Sequence, residues 1–447
     1  MSETMADVRA GRRHPGTIME VFWAFLRLGV TSFGGPVAHL GFFRETFVGR
    51  RKWLNDGAYA DLVALCQFLP GPASSQVGMA IGLQRAGIGG LLAAWFAFTM
   101  PSAIVLVVFA FGIATLSDGA DMGWLYGLKA AAVAVVAQAV LGMAKNLTPD
   151  AKRATIAGAA MIIILLIPSP LIQVAAIVVG GVVGLVWLRR EAAQDEAARD
   201  EAARDKAAQD EAARDKAAQD SASKSPDADE QSDRDGARPD FGVRTSRKVG
   251  VIALTTFLLL LMALPILTVA TSDPSLRLID VFYRAGALVF GGGHVVLPLL
   301  ETETVATGLV GHDSFLAGYG AAQAVPGPLF TFAAFLGAST TSGPTGLIGA
   351  GIALLAIFLP AALLVIAALP FWERLRRAQT VRRALLGVNA AVVGILAAAL
   401  YDPVFTQGIT SPATLALAVG VFIAQVKWKL PAWAAVIAAG LIGFAFL

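Results

Sequence analysis

Apolar residues fill most of this chain in runs too long for a soluble core, among them "AIVLVVFAFGIATL" at 103–116 and "ATIAGAAMIIILLI" at 154–167. Runs of this length with almost no charge predict membrane-crossing helices. Thirteen such segments can be counted, six on each side of one at 249–270. Several are broken at their own centres. "QFLPGPASSQ" at 67–76 places two prolines and a glycine inside an apolar run, and "QAVPGPLFTF" at 323–332 does so again.

The second break belongs to an internal repeat. "FLRLGVTSFGG" from Phe25 matches "FYRAGALVFGG" from Phe282. An offset of 257 pairs Arg27 with Arg284, Gly29 with Gly286, Phe33-Gly34-Gly35 with Phe290-Gly291-Gly292, and Asp56 with Asp313. After a slip of one residue, Gln67 and Pro70-Gly71-Pro72 match Gln323 and Pro326-Gly327-Pro328; Pro101 later matches Pro360. Matches kept in one order over so long a stretch indicate duplication.

Loop charge then predicts orientation. Arg44, Arg50, Arg51 and Lys52 make a basic loop in the first half, whereas Asp118 and Asp121 make an acidic one. The second half reverses this, with Glu301, Glu303 and Asp313 first and Arg374, Arg376, Arg377, Arg382 and Arg383 later. By the positive-inside rule the two halves are inverted, which one extra crossing at 249–270 would achieve. The predicted fold is therefore an all-α polytopic membrane protein. It comprises an N-terminal repeat at 1–188, a charged insert at 189–248, a linking helix at 249–270 and an inverted C-terminal repeat at 271–447. FGG and PGP are expected to be broken or re-entrant helices. The N-terminus and the insert are expected on the cytoplasmic side, and the C-terminus on the periplasmic side.

Composition sharpens this. The 447 residues are 56% hydrophobic, and between 189 and 248 the chain holds 29 of its 67 charged side chains. Residues 191–220 are six pentads of the EAARD type, a period that lays no apolar stripe along a helix. They read as a solvated spacer, with regulatory docking the alternative. A single cysteine, Cys66, excludes a disulfide framework and a multi-cysteine metal site. No cofactor, metal or nucleic-acid partner is expected, and nucleotide-binding and hydrolase motifs are absent. The partners expected are an oxyanion and the lipid bilayer. A homodimer is compatible with the sequence but not required by it.

Non-helical backbone at membrane depth is tolerated only inside protein or beside water. A helix restarting there offers free N–H groups and a positive dipole end, which suit an anion. Pro36 and Pro72 are placed as first helical residues. Ser74 and Ser75 add hydroxyls, and Gln67 and Gln323 add amides. Simple helix kinks are the alternative. Arg27 and Arg284, each six residues before FGG, are embedded charges with a fork suited to an oxyanion; snorkelling, or for Arg27 a pairing with Glu20, is the alternative. Glu45, Asp61, His39 and His294 are candidate proton carriers. Lys129, Gln138 and Asn389 lack matched polar counterparts in the other half.

The motifs "LRLGVTSFGGPVAHLGFFRETFVGRRKWL", "ALCQFLPGP" and "FTMPS", with "FGGGHVVLPLL" and "AAQAVPGP" in the second half, resemble the signature of the chromate ion transporter family. That resemblance covers about 25–145 and 280–400 and implies a two-domain inner-membrane protein. It further implies export of chromate from the cytoplasm by the proton-motive force, with sulfate as the isosteric competitor. It carries Arg27, Phe33, Gly34, Gly35, Pro36, Pro70, Gly71 and Pro72 over as motif positions, with Arg284, Phe290, Gly291, Gly292, Pro326, Gly327 and Pro328 in the repeat. Gly293 stands where Pro36 would recur. A sulfate transporter, an anion channel, and a membrane enzyme or scaffold are the competing functions.

Overall fold

The computed structural model describes residues 15–116, 123–167, 169–193, 246–290, 295–372 and 378–447. Asp118, Asp121, Arg374, Arg376, Arg377, Gly291, Gly292, His294 and nearly all of the pentad insert lie outside the described residues. Among the described residues all regular structure is helical. Five helices are long and apolar enough to cross a membrane, at Ala73–Ile113, Gly123–Leu147, Arg247–Thr271, Gly346–Phe371 and Gln379–Gly408.

The motif segments are built differently. α1 (Ile18–Thr31) starts at an N-cap where Thr17 Oγ1 accepts from Glu20 N–H at 3.2 Å, and stops at the extended Ser32. α2 (Gly35–Arg44) follows a turn in which Gly34 has φ +101° and Gly35 φ +78°. A Cβ disfavours that region, so glycine is needed there. α3 (Asp56–Phe68) is capped by Asn55, and the chain is extended at Leu69 before α4 (Ala73–Leu116). α1 and α3 have 14 and 13 residues, and the 10-residue α2 runs on as a π-helix over Glu45–Arg50; each stretch is short of the roughly 20 that a full crossing needs. The helices are thus separated at Gly34-Gly35 and at Pro70-Gly71-Pro72, the positions of the glycine and proline motifs. α4 is itself two limbs, 73–85 and 88–116, joined at Ala86 and Gly87. The limbs fold back on each other, because a Cβ on Gly82 or on Gly90 would strike the other's carbonyl.

The rest of the first half is α5 (Gly123–Leu147), α6 (Ala151–Leu166) and α7 (Pro170–Trp187). α8 (Arg247–Thr271) links to α9 (Pro274–Leu288), α10 (Val296–Thr304), α11 (His312–Ala324) and α12 (Phe332–Ala338). The chain closes with α13 (Gly346–Ala368), α14 (Gln379–Ala399), α15 (Pro412–Val426) and α16 (Ala432–Phe446). Glu301 and Glu303, expected in an acidic loop, lie on α10 and are half-buried.

The halves are interwoven. α5 packs on α15 and α16, while α14 packs on α6 and α7. Glycines make the close approaches: Gly127 faces the Ala439 carbonyl, and Gly180 and Gly387 face each other. One buried cluster draws Met79, Val133 and Ile177 together with Phe282, Phe335 and Ile357.

At the centre the motifs lock together across the halves. Gly327 N–H donates to Ser32 O at 2.9 Å, and Gly71 N–H donates to Val289 O at 2.7 Å. Ser32 and Val289 immediately precede the two FGG motifs, and Gly71 and Gly327 are the glycines of the two PGP motifs. Each PGP is therefore hydrogen-bonded to the other half's FGG segment. Both glycines are left-handed, with φ +115° at Gly71 and φ +97° at Gly327. Each glycine stands between two prolines, and its N–H is satisfied by the facing carbonyl.

Candidate functional site

A cavity of about 680 Å³ opens where these breaks meet. Its wall takes the FGG turn of the first half (Gly34, Gly35) and the PGP of the second (Gly327, with Gln323 before it). α5 contributes Gln138 and Lys145; α15 and the turn after it contribute Gln425 and Lys429. Two lysines and three glutamines line it, with no carboxylate among the lining residues. The volume accommodates an oxyanion together with several waters, each of which occupies about 30 Å³ in the liquid.

Its polar groups are not used up by the protein. Gln425 is only 3% exposed, yet neither its amide nitrogen nor its oxygen has a partner. Gln323 Nε2 is likewise buried and unpaired, although its side chain also interacts with the Tyr319 hydroxyl. Buried polar atoms without partners each cost about 1–3 kcal/mol, so they mark a place where a ligand or water belongs. α2 begins at this wall, at Gly35, with no side-chain cap, so its positive dipole end lies beside the same space. Amide donors, two ammonium groups and a helix start suit a compact anion and repel a cation.

The sequence-predicted residues divide into three groups. Gly34, Gly35, Gln323 and Gly327 line the cavity. Around the turns, Phe33 packs its ring 5.5 Å from Trp433, while Pro36, Pro70, Pro326 and Phe290 are half-buried and Gly71, Pro72 and Pro328 are buried. The third group faces elsewhere. Ser74 and Ser75 are buried in the protein, where Ser74 Oγ lies 3.4 Å from His39 Nδ1. His39 Nε2 lies 3.2 Å from Ser32 O, so this histidine ties the FGG turn to the start of α4 instead of facing water. Gln67 is exposed. Glu45 is exposed and paired with Arg50, and Asp61 is half-buried on α3.

The arginines also differ from expectation. Arg27 is exposed on α1, on the face of Trp23 and Val30, away from the cavity. Glu20 bonds Arg85, with Nη2 to Oε1 at 3.0 Å, and not Arg27. Arg284 is held by two carboxylates, Asp280 at 2.9 Å and Glu303 at 2.8 Å, which neutralise it as an anion ligand. Lys129, unmatched in the repeat, is nonetheless paired: its buried ammonium is bonded to Asp313 of the other half. Lys145, Gln425 and Lys429 were not singled out as site residues by the sequence, and Gln138 stood out there only as an unmatched polar residue, because none of the four recurs in the repeat. Only the packing of α5 on α15 and α16 brings them together.

Comparison with known proteins agrees with the motifs. The chromate transporter family matches this chain twice, over residues 19–185 and 276–444. A chromate transport protein of Pseudomonas aeruginosa is 25% identical over 446 residues, covering 96% of this chain and 92% of that protein. The chromate transport protein of Cupriavidus metallidurans is 26% identical over 393 residues, covering 86% and 82%. A probable chromate transport protein of Synechococcus elongatus is 24% identical over 393 residues, covering 87% and 85%. No solved structure matches the chain. With both halves matched, this chain belongs to the chromate transporter family.

Proposed function

We propose that the chain is a secondary active transporter that exports chromate from the cytoplasm across the bacterial inner membrane, driven by the proton-motive force. Chromate binds in the cavity between the first FGG turn and the second PGP. The observation that carries this reading is the cavity wall: two lysines, unpaired buried amides and an uncapped helix start, with no carboxylate among the described residues. A tetrahedral dianion accepts hydrogen bonds in all directions and meets donors from both halves there.

The halves act as inverted repeats, with rocking about the paired Gly71–Val289 and Gly327–Ser32 bonds giving alternating access. The reciprocal bonding of equivalent positions supports that symmetry. The chain carries out transport and not a chemical transformation. Sulfate has the same shape and charge and is the competing substrate.

The test uses inverted membrane vesicles containing the protein. Radiolabelled chromate accumulates when the membrane is energised, a protonophore collapses the accumulation, and excess sulfate reduces it. Vesicles with folded, inserted protein and no accumulation would overturn chromate export and make sulfate the next substrate to try.

A further inference from the structure

A second polar site lies apart from the chromate cavity, between α7, α9 and α10. Arg284 lies against all four oxygens of two carboxylates: it donates Nε to Asp280 Oδ1 and Nη2 to Glu303 Oε2, each at 3.1 Å, while Nη2 lies 2.9 Å from Asp280 Oδ2 and Nη1 2.8 Å from Glu303 Oε1. The side chains are 24% (Arg284), 6% (Asp280) and 15% (Glu303) exposed. Two acids share one base in a poorly solvated place, so the fully ionised cluster carries an uncompensated negative charge. Such a charge is expensive to bury.

Among the described residues, no second cation is paired with either carboxylate: Arg284 is the one ion-pair partner of Asp280 and of Glu303. The other cation of α9, Arg277, is half-buried one turn before Asp280 without pairing to it. α7 and α13 contain no ionisable side chain. Tyr283 of α9 donates its hydroxyl to Phe257 O of α8 at 3.0 Å. On α10, Glu301 has Asp402 as its charged neighbour, and the arginines of α14, Arg382 and Arg383, sit at that helix's first turns.

A separate feature points to what is bound. Gln173 of α7 is 5% exposed and donates Nε2 to Thr302 Oγ1 at 2.7 Å, but its Oε1 has no partner. Gln173, Arg284 and Glu303 line one small cavity of about 10 Å³, roughly the space of a single water. An unpaired buried acceptor beside a surplus carboxylate needs a donor. The space is too small for a hydrated metal ion, and Arg284 already covers the carboxylate oxygens.

We infer that Glu303 is a proton-binding site of the transport cycle, with Gln173 Oε1 accepting from its protonated form and Asp280 retaining Arg284. Glu303 takes a proton from water on one side of the membrane, and its new O–H donates to Gln173 directly or through one water. Arg284 then gives up Glu303 but keeps Asp280, so the clamp between α9 and α10 opens. On the other side the proton leaves and the clamp closes. α9 runs directly to Val289, whose carbonyl accepts from Gly71, so the clamp acts on one of the two bonds that join the halves. The site is single: the offset of 257 puts Trp23 and Thr46 at the positions of Asp280 and Glu303. Asp280 is a positioning residue.

The inference rests on the proposed chromate transport, and the test separates the two. Full-length protein in liposomes is assayed with radiolabelled chromate in two ways: counterflow, which needs no proton movement, and accumulation driven by a pH gradient. Glu303→Gln, which mimics the protonated acid, is expected to retain counterflow while its ratio of accumulation to counterflow falls about tenfold or more. An unchanged ratio overturns the proton site. Wild-type protein without counterflow overturns chromate transport instead. Should Glu303→Gln lose counterflow through misfolding, infrared titration of the purified wild type decides. It is expected to show a protonated-carboxyl band that comes and goes with pH and is displaced in Glu303→Asp. No titrating band, or one indifferent to Glu303→Asp, overturns the inference.

Discussion

Gly327 offers a way to measure how tightly the two halves are joined. Its φ of +97° is a region where a Cβ costs about 1–2 kcal/mol. A Cβ built there lies 2.8 Å from Ser102 Oγ and 3.3 Å from the Phe98 carbonyl. The hydroxyl can rotate away, but the carbonyl belongs to the α4 backbone and cannot. Overpacking of this kind adds about 1–3 kcal/mol, so Gly327→Ala is expected to destabilise the protein by about 2–5 kcal/mol. Gly35 is the control. It is also left-handed, at φ +78°, but a Cβ there meets nothing within 4 Å. Gly35→Ala should therefore cost only the backbone term of about 1–2 kcal/mol, while its methyl group enters the cavity and weakens chromate transport. The assay is unfolding of the purified protein in detergent, alongside vesicle transport. Equal losses of stability in the two variants would refute the close contact between the second PGP and α4.

Other expectations follow from single contacts. Lys129 is 4% exposed and Asp313 67%, so Asp313→Asn should cost about 3–5 kcal/mol by stranding a buried ammonium. Lys129→Met, which leaves only a solvated carboxylate, should cost much less; unfolding midpoints compare them. Lys145→Ala and Lys429→Ala should each weaken chromate binding about tenfold, the low end for a hydrogen bond to a charged group, because both lysines are partly solvated; isothermal titration reads this. Burial pushes the Asp150 carboxyl up, but the Arg153 backbone N–H and guanidinium more than offset it and hold the group below its ordinary value. Its stabilising effect is therefore present at neutral pH and is lost as pH falls through that lowered value. Asp150→Asn should flatten this acid limb in unfolding measured against pH.

Much of the architecture is legible in the sequence, because glycine and proline act locally. The breaks at Gly34-Gly35 and Gly71 need no tertiary information, and the repeat reveals which breaks correspond. Arg27 shows where that logic stops. Conspicuous in an apolar run, it shares its helix face with Trp23 and Val30, while Val21, Ala24, Phe25, Leu28 and Gly29 form the buried face. The helical period carried that signal. For Arg284 the signal was Asp280, four residues earlier on the same helix, a spacing at which opposite charges pair. Gln425 and Lys429 had none, since their role depends on α15 meeting α5 from the opposite end of the chain. Matched positions identified the scaffold of the site, whereas its unmatched residues supply the charge and the amides.

Whether the cavity binds a tetrahedral dianion can be read at Gln425. Its two amide atoms are buried without partners, so Gln425→Leu should leave the protein as stable as before or more so. Chromate that binds the folded state raises the unfolding midpoint of the wild type. The account predicts a clear chromate-dependent rise in the wild type and a much smaller one in Gln425→Leu at the same concentration. Equal rises in the two proteins would place chromate elsewhere and contradict the account.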